Sequence, residues 1–236
     1  MILHNEPSYL IYFGDKKGCC VESYPNFSVK CLEELRQTLH LEKIAFLKQV
    51  HGCNGSCIDK LDQLESNINL LQKEGDFIIT NVRKVGIGVL TADCLPVIFY
   101  DPVHHVAAVV HAGWRSAVSN IVEKVIEKME ENFKSKASDL ITYFGPSAKV
   151  CCYEVLQDFL EKLESISFVE DVIFYRDEKT FFNLPKFVGL QLLGLGVKKV
   201  NIHKNYNDCT ICNTQFHSYR RDDNTTLRQA TIISLK

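Results

Sequence analysis

Four β-rich runs follow one another in residues 76–110, DFIITNVRKVGIGVLTADCLPVIFYDPVHHVAAVV, and only short turns separate them. Their apolar, β-branched and aromatic content predicts strands at residues 76–80, 86–90, 97–101 and 106–110. The lack of helical patterns between these strands argues against a simple alternating, doubly wound sheet. We therefore predict the α+β class, with large mixed sheets covered by helices.

Further patterns extend the prediction to both ends of the chain. Strands are predicted at residues 9–14, 43–50, 140–145, 172–175, 180–184 and 199–203. The clearest helix is predicted to begin near Ser116, a plausible N-terminal cap, and to run to Phe133 with one apolar stripe. Weaker helices are expected at residues 28–40, 60–72, 154–164 and 185–195, the last ended by Gly196. No linker, repeat or low-complexity tract marks a boundary, so we expect a single domain over residues 1–236.

Composition limits the classes of partner. Of 236 residues, 46% are hydrophobic and 24% are charged, and the formal net charge is −2. Because lysines and arginines are spread along the chain, we expect a small-molecule partner, with no nucleic acid and no membrane. The N-terminus has no basic segment followed by a long apolar one, and no apolar run approaches the ~18 residues that span a bilayer. We expect a cytoplasmic monomer or small homo-oligomer.

The ten cysteines are expected to be reduced thiols, some of them metal ligands, because no export signal accompanies them. Cys209-Thr-Ile-Cys212 has the spacing of a redox motif or a zinc knuckle, and Cys53 with Cys57 could complete a structural four-cysteine site. The adjacent pairs at residues 19–20 and 151–152 are expected to be buried thiols without chemistry.

Three short segments at or after predicted strand ends combine ligand-capable side chains with turn residues. They are Lys48-Gln-Val-His51-Gly52, Thr91-Ala-Asp-Cys94-Leu-Pro96 and His111-Ala-Gly-Trp-Arg115. Two imidazoles and one thiolate suit zinc, and three protein ligands leave a fourth position for water or substrate. Their wide separation matches no compact zinc finger, and residues of these types taken singly are more often ordinary packed or hydrogen-bonded residues than ligands.

These segments resemble the ordered motifs of the YfiH/laccase-domain family, which was first labelled multicopper polyphenol oxidase and later described as zinc-dependent purine nucleoside enzymes. The match runs from about Lys48 to Arg228 and includes Gly75-Asp-Phe-Ile-Ile-Thr80, Gly145-Pro-Ser147, Tyr153-Glu-Val155, Cys209-Thr210 and Ser218-Tyr-Arg-Arg-Asp222. The resemblance implies that His51, Cys94 and His111 are zinc ligands. It also implies a four-layer α/β/β/α sandwich.

The family's chemistry sets the expected reactions. The resemblance implies phosphorolysis of adenosine, inosine, guanosine and methylthioadenosine to a free base and a sugar 1-phosphate, with purine nucleosides and phosphate as the partners. It further implies deamination of adenosine. Zn²⁺ is the expected cofactor, with copper as the alternative.

Two candidate catalytic residues adjoin the expected ligands. Asp93 could orient a metal-bound imidazole, carry a proton, or only shape a turn. Arg115 lies at the predicted mouth of the long helix, where backbone N–H groups favour anions, so it could bind phosphate or form a structural salt bridge.

The substrate-binding candidates are Lys48, Gln49, Trp114 and Arg220. Trp114 could stack on a purine or pack under the helix. Strand alternation places only one of Lys48 and Gln49 in the crevice. Arg220 and its neighbour Arg221 could bind phosphate or ribose, or anchor the C-terminal segment through the aspartates that follow them.

The chain departs from the family pattern at several positions. Ser116 stands where a glycine usually follows the His-Ala-Gly-Trp-Arg motif, and Gly-Pro-Ser-Ile-Gly-Pro appears as Gly145-Pro-Ser-Ala-Lys-Val150. The late Thr-Gly-Arg appears as Thr226-Leu-Arg228. Because Leu227 cannot easily copy a glycine at positive φ, we expect the C-terminal loop to differ.

Three other functions stay open. A laccase-like, copper-dependent polyphenol oxidase needs a histidine-rich cluster, and the eight histidines contain no His-x-His pair. A zinc amidase that edits cell-wall precursors is compatible with the ligand set. A non-catalytic binding protein stabilised by zinc is the third alternative.

Overall fold

The structure is a computed structural model that describes residues 1–18, 20–22, 29–164 and 166–236; the side chains of residues 20–22 and 70–72 are not considered. The strands are β1 (Ile2–Asn5), β2 (Tyr9–Phe13), β3 (Cys20–Glu22), β4 (Lys43–Lys48), β5 (Gly55–Ile58), β6 (Ile68–Glu74), β7 (Phe77–Thr80), β8 (Val85–Thr91), β9 (Leu95–Asp101), β10 (Val106–Ala112), β11 (Ile141–Phe144), β12 (Glu154–Val155), β13 (Ile173–Arg176), β14 (Lys179–Phe182), β15 (Ile202–His203) and β16 (Leu227–Leu235). The α-helices are α1 (Val29–Thr38), α2 (Trp114–Val118), α3 (Ile121–Phe133), α4 (Gln157–Leu160) and α5 (Leu184–Gly194). Short 3₁₀ helices lie at Leu61–Gln63, Ala137–Asp139, Glu161–Leu163, Val169–Asp171 and Lys199–Asn201.

Two large mixed sheets organise the described residues. The first has the order β1-β2-β16-β8-β4-β6, with β3 also paired to β16, and β4 runs parallel to both of its neighbours. The second has the order β15-β11-β9-β10-β7-β5, with parallel pairs only at its two edges. A smaller antiparallel sheet has the order β12-β14-β13.

Alternation along the strands produces three apolar layers. On β9, Val97 and Phe99 face the helices α2, α3 and α5, whereas Ile98 and Tyr100 face the first sheet. A third cluster packs α1 against the outer face of the first sheet through Leu32 and Leu35. The layers therefore run α/β/β/α, and the predicted fold class is confirmed. Burial on both faces explains the continuous apolar strands between residues 76 and 110.

The strand predictions for residues 76–110 are confirmed as β7 to β10, whereas two other segments differ. The prediction of a helix at residues 60–72 was wrong. A 3₁₀ turn is followed there by β6, which pairs in parallel with β4. The strand β16 was missed altogether. It pairs with β2, β3 and β8 and is buried from Gln229 to Leu235.

The predicted long helix is interrupted. Asn120, at φ 60°, separates α2 from α3, and the apolar stripe persists in α3. Ser116 is not its cap, since Gly113 begins α2 and the buried Ser116 hydroxyl donates to the carbonyls of His111 and Gly113.

The other helix predictions were partly right. The expected helix at residues 154–164 begins as β12 and becomes helical only at Gln157. The helix at residues 185–195 is α5, which Asn183 caps by accepting from the Lys186 N–H, and Gly196 follows it at φ 94°. The helix at residues 28–40 is α1, although residue 28 lies outside the described part of the chain. Among the described helices, none combines the length and apolar character needed to cross a bilayer.

Candidate active site

Strand ends bring the three predicted ligand segments together. Cys94 immediately precedes β9 and His111 lies in β10, where it pairs with Pro96. His51 follows the end of β4 in the other large sheet, so the site lies where the two sheets meet. The ligand atoms of His51, Cys94 and His111 all lie within 4.8 Å of one another. Cys94 Sγ is 3.8 Å from His51 Nε2, and the two imidazole rings are 4.7 Å apart at 68°.

Asp76 orients this cluster. Its carboxylate is fully buried, and Oδ1 accepts from His111 Nδ1 at 2.8 Å, which leaves His111 Nε2 for a ligand. The same carboxylate accepts from the backbone N–H groups of His51 at 3.0 Å and Gly52 at 2.7 Å. Sequence reasoning included Asp76 in a motif but assigned it no role, and considered Asp93 as the orienting group. A carboxylate just before a buried strand was the signal available.

The charges of the cluster shift the pKa values of Cys94 and His111 in opposite directions. Burial raises the pKa of the Cys94 thiol, but neighbouring His111 and His51 lower it more, and the net shift is downward. Burial lowers the pKa of His111, whereas Cys94 and Asp76 raise it more, so its net shift is upward. The downward shift favours the Cys94 thiolate, which is the form that binds a metal, whereas His111 would release a proton on binding one. This donor set fits a zinc ion.

Local backbone geometry keeps the ligands close. A Cβ on Gly113 would lie 2.8 Å from His51 Cδ2 and 3.1 Å from Cys94 Sγ, so glycine is required for this approach. His51 at φ 60° and Asp93 at φ 90° both adopt left-handed backbone conformations. Such conformations in non-glycine residues persist where surrounding contacts stabilise them. Here the His51 N–H donates to Asp76, and the Asp93 side chain accepts several hydrogen bonds.

The cluster opens into a cleft of about 600 Å³. All six further predicted site residues line it: Lys48, Gln49, Asp93, Trp114, Arg115 and Arg220. Tyr153, Tyr219 and Arg228 also line the cleft and were not predicted as site residues. The volume is in the range of small-molecule pockets.

Asp93 connects the cleft to a distant segment. Its Oδ1 accepts from the Thr210 hydroxyl at 2.6 Å, and its Oδ2 accepts from the Ser218 hydroxyl at 3.1 Å and the Arg220 N–H at 2.8 Å. Both carboxylate oxygens are therefore occupied. Asp93 holds the 210–220 segment against the cleft, while its catalytic role stays a prediction.

Lys48 and Gln49 both line the cleft, so the expectation that only one does was wrong. The reason is that β4 ends at Lys48, which frees Gln49 from strand alternation. The Gln49 amide donates to the Leu90 carbonyl at 2.8 Å and accepts from the Leu90 N–H at 2.7 Å. Lys48 forms an ion pair with Glu74 at 2.8 Å.

Trp114 and Arg115 form one wall. The Trp114 ring packs edge-on against Phe159 at 5.1 Å, and the Arg115 guanidinium lies 4.3 Å from the Trp114 ring centre. Arg115 is exposed and forms no ion pair with the described residues. The helix α2, in which Arg115 is the second residue, is only five residues long, so a helix dipole adds less than expected.

The opposite wall comes from the C-terminal segment. The Arg220 guanidinium donates to the Glu154 carbonyl at 2.5 Å and lies 4.5 Å from the Tyr153 ring centre. Arg221 instead pairs with Asp222 through Nε at 2.7 Å and donates to the carbonyls of Thr210 and Phe216, both at 2.6 Å, so it anchors this segment.

The family departure at Leu227 needs no unusual backbone conformation. Leu227 begins β16 and pairs with Glu22, without the positive φ that would require glycine. The expectation that the C-terminal loop differs from the family pattern stays a prediction. Arg228, which follows it, donates to the Leu227 and Thr225 carbonyls and reaches the cleft. Its place as the arginine of the late motif Thr226-Leu-Arg228 was the available signal.

The fold and the cleft define an α+β protein with a His–Cys–His cluster able to hold a transition metal. Residues 24–236 match the family described as multi-copper polyphenol oxidoreductase laccase, and the chain belongs to this family. The resemblance seen in the motifs is thereby confirmed.

Two relatives in sequence and one solved structure are similar to this chain. The purine nucleoside phosphorylase of Clostridium acetobutylicum is 35% identical over 207 residues, which cover 87% of this chain and 82% of that protein. Adenosine deaminase RL5, from an unknown prokaryotic organism, is 30% identical over 192 residues, 77% of this chain and 71% of that protein. The crystal structure of YlmD from Geobacillus stearothermophilus has a TM-score of 0.79 at 23% identity and covers 100% of this chain and 99% of that chain, a likeness of fold.

Proposed function

We propose that this protein is a zinc-dependent purine nucleoside phosphorylase that converts adenosine, inosine, guanosine or methylthioadenosine, with phosphate, to a free base and a sugar 1-phosphate. The cleft carries this proposal, because the His–Cys–His cluster, three arginines and three aromatic rings face one space. The name of the Clostridium acetobutylicum relative supports the reaction class.

His51, Cys94 and His111 would hold the zinc ion, with Asp76 fixing the tautomer of His111. Zinc bound there would act as a Lewis acid and lower the pKa of a coordinated water. The donor set favours zinc over a multicopper centre, because the described residues contain only one other cluster of three or more potential ligands, and it consists of cysteines.

Phosphorolysis needs an anion site close to the ribose. Arg115 has no carboxylate partner among the described residues, so its guanidinium can bind phosphate through paired N–H donors. Arg220 and Arg228 use part of their donor capacity on backbone carbonyls and add positive charge to the opposite wall. The proposed phosphate position lies between these walls.

The aromatic rings would bind the purine. Tyr219 lines the cleft and is 46% exposed, whereas Tyr153 is almost fully buried beneath Arg220. Asp93, whose oxygens accept from Thr210, Ser218 and Arg220, would position this wall and so limit the access of water that competes with phosphate. Lys48 and Gln49 would complete the floor, with the Gln49 amide holding Leu90 in place.

Adenosine deamination is a second candidate activity, favoured by the relative named adenosine deaminase RL5. It requires an attacking water instead of phosphate, and the same cleft can admit either one. Zinc-loaded protein should be incubated with adenosine and with inosine, with and without phosphate. Base and sugar 1-phosphate that form only with phosphate support phosphorolysis, and phosphate-independent inosine from adenosine supports deamination. The absence of all three products refutes the proposal.

Variants separate catalysis from a structural metal. Cys94→Ala should lose the zinc of the His–Cys–His cluster and its activity while keeping its far-UV and near-UV circular dichroism. Cys57→Ala, which removes a thiol outside the cluster, should keep both that zinc and the activity. Unfolding of Cys94→Ala would support the non-catalytic alternative. Oxidation of a phenol by copper-loaded protein, with no nucleoside turnover, would favour the oxidase named in the family description.

A further inference from the structure

A second cluster of potential metal ligands lies outside the His–Cys–His site. Cys151 and Cys152 belong to the turn before β12, and Cys209 and Cys212 belong to the segment between β15 and β16. Their four sulfur atoms all lie within 4.8 Å of one another. The expectation that Cys151 and Cys152 are both buried was wrong, since Cys151 is exposed; Cys19 lies outside the described residues.

Cys53 and Cys57 do not join Cys209 and Cys212, so the four-cysteine site considered from the sequence had the wrong second pair. The Cys53 thiol donates instead to the Ser119 carbonyl at 3.1 Å, and Cys57 lies in β5. The spacing of Cys209 and Cys212 was informative, but their partners depend on a long-range contact that spacing does not reveal.

That contact is a backbone bridge between the two segments. Ser147 pairs in parallel with Cys209, with the Ser147 N–H donating to Asp208 and the Thr210 N–H donating to Ser147, both at 3.0 Å. The backbone N–H groups of Cys212 and Lys149 also point to the Cys209 sulfur. Backbone hydrogen bonds between the two segments, and not bonds between the thiols, therefore keep the four sulfurs close together.

The sulfur spacing matches a single tetrahedral ion. Zinc–sulfur bonds of ~2.3 Å in a tetrahedron place neighbouring sulfurs about 3.8 Å apart. Cys151 Sγ and Cys212 Sγ are 3.9 Å apart, and all four thiols are free. Cysteines that bind four different irons of a cubane cluster would lie farther apart, so one ion fits better.

Cations surround the two segments. Four thiolates around one Zn²⁺ carry a net charge of −2, which nearby positive groups would offset. Arg176 donates to the Cys151 carbonyl at 2.9 Å, Lys149 to the Asn207 carbonyl at 3.0 Å, and Arg221 to the Thr210 carbonyl at 2.6 Å. These three side chains bring positive charge to the backbone that carries the cysteines.

We propose that Cys151, Cys152, Cys209 and Cys212 bind a structural zinc ion, separate from the His–Cys–His site. This ion clamps the turn before β12 to the 209–221 segment. The same ion would also stabilise the wall of the cleft, because Thr210 and Arg220 on that segment donate to Asp93, which adjoins Cys94. The proposal does not depend on the reaction that the cleft catalyses.

Metal stoichiometry under reducing conditions tests this site. The wild-type chain should bind two zinc ions, Cys212→Ala one, Cys94→Ala one, and the double variant none. Cys57→Ala, which lies outside both clusters, should bind two. With Co²⁺ in place of zinc, the thiolate charge-transfer absorption per ion should be stronger in Cys94→Ala, which keeps four thiolates, than in Cys212→Ala. The proposal is overturned if the wild-type chain binds one zinc ion that Cys94→Ala loses and Cys212→Ala keeps. It is also overturned if the four cysteines bind iron instead of zinc.

Thiol alkylation of the wild-type protein keeps the test independent of variant folding. Zinc should protect the four cysteines from iodoacetamide, and a chelator should expose them together, while the alkylation rate of Cys57 stays the same. Equal alkylation with and without the chelator, or a disulfide between any two of the four in zinc-loaded reduced protein, refutes the site.

Discussion

Replacing Asp76 with asparagine should weaken both folding and metal binding, whereas the same replacement at a buried aspartate away from the cluster should weaken folding alone. The buried Asp76 carboxylate accepts from His111 Nδ1 and from the N–H groups of His51 and Gly52. Asparagine keeps one acceptor oxygen and turns the other position into a donor. If the oxygen stays on His111 and His51, the new NH₂ faces the Gly52 N–H, and two donors meet.

Two energies follow from this geometry. A buried N–H left without an acceptor costs roughly 1–3 kcal/mol of folding free energy. Loss of the carboxylate partner of a ligating histidine typically lowers metal affinity by about 10–100-fold. The affinity loss is equivalent to about 1.4–2.7 kcal/mol.

Asp101→Asn is the matched control. Asp101 is also fully buried, and it accepts from the Val103 N–H at 2.7 Å and from His104 Nδ1 at 2.9 Å. It lies at the opposite end of the β9–β10 pair from His111. The control should lose a similar folding free energy, measured by urea unfolding of the metal-free proteins, with unchanged metal affinity.

Zinc affinity is measured by competition with a chromophoric chelator of known affinity, for the wild type and for both variants. The expected order places Asp76→Asn 10–100-fold weaker than the other two. Equal affinities for Asp76→Asn and the wild type would show that Asp76 does not orient the ligand, and a parallel loss in Asp101→Asn would assign the effect to stability alone.

Three further outcomes are expected. Gly113→Ala should lower zinc affinity on the order of tenfold, because the added Cβ would displace His51. Gly194→Ala, which adds a Cβ in open space, should leave zinc affinity unchanged. Chelator competition measures both affinities. Arg115→Ala should raise the KM for phosphate by about 10–100-fold, from the loss of a charged hydrogen bond, and leave phosphate-independent deamination unchanged in steady-state assays. Burial raises the pKa of Asp101, but interactions with the Ser135 side chain, then with His104 and Val103, lower it more, to below the reference value of 3.8. The stability that Asp101 contributes should therefore be present above pH 3.8 and disappear as the pH falls through the folded-state pKa. Urea unfolding of the wild type and Asp101→Asn at several pH values measures this contribution. A difference in unfolding free energy that grows at low pH would contradict the prediction.

The sequence was informative where structure depends on local pattern. The runs from residue 76 to residue 110 are buried on both faces, so their apolar character alone predicts strands. The cluster of His51, Cys94 and His111 was found because each residue lies near a strand end within a family motif. All six neighbours chosen with them reach the same cleft.

The failures involve partners that are distant in sequence. Residues 68–74 form β6 because β4 offers a parallel edge, which no local pattern reveals. Asp76 lies beside His111 only after β7 and β10 pair, and Cys151 meets Cys212 only after the Ser147–Cys209 bridge forms. Such contacts are set by tertiary pairing, so sequence spacing could not supply them.

Asp93 shows why the cleft needs the whole C-terminal segment. Its backbone is left-handed immediately before Cys94, and among the described residues its carboxylate accepts from Thr210, Ser218 and the N–H of Arg220. A buried carboxylate without these donors would be costly, so the turn that presents Cys94 and the wall that presents Arg220 stabilise each other. The ligand segment near residue 94 and the substrate-facing segment near residue 220 therefore form one structural unit, although more than a hundred residues separate them.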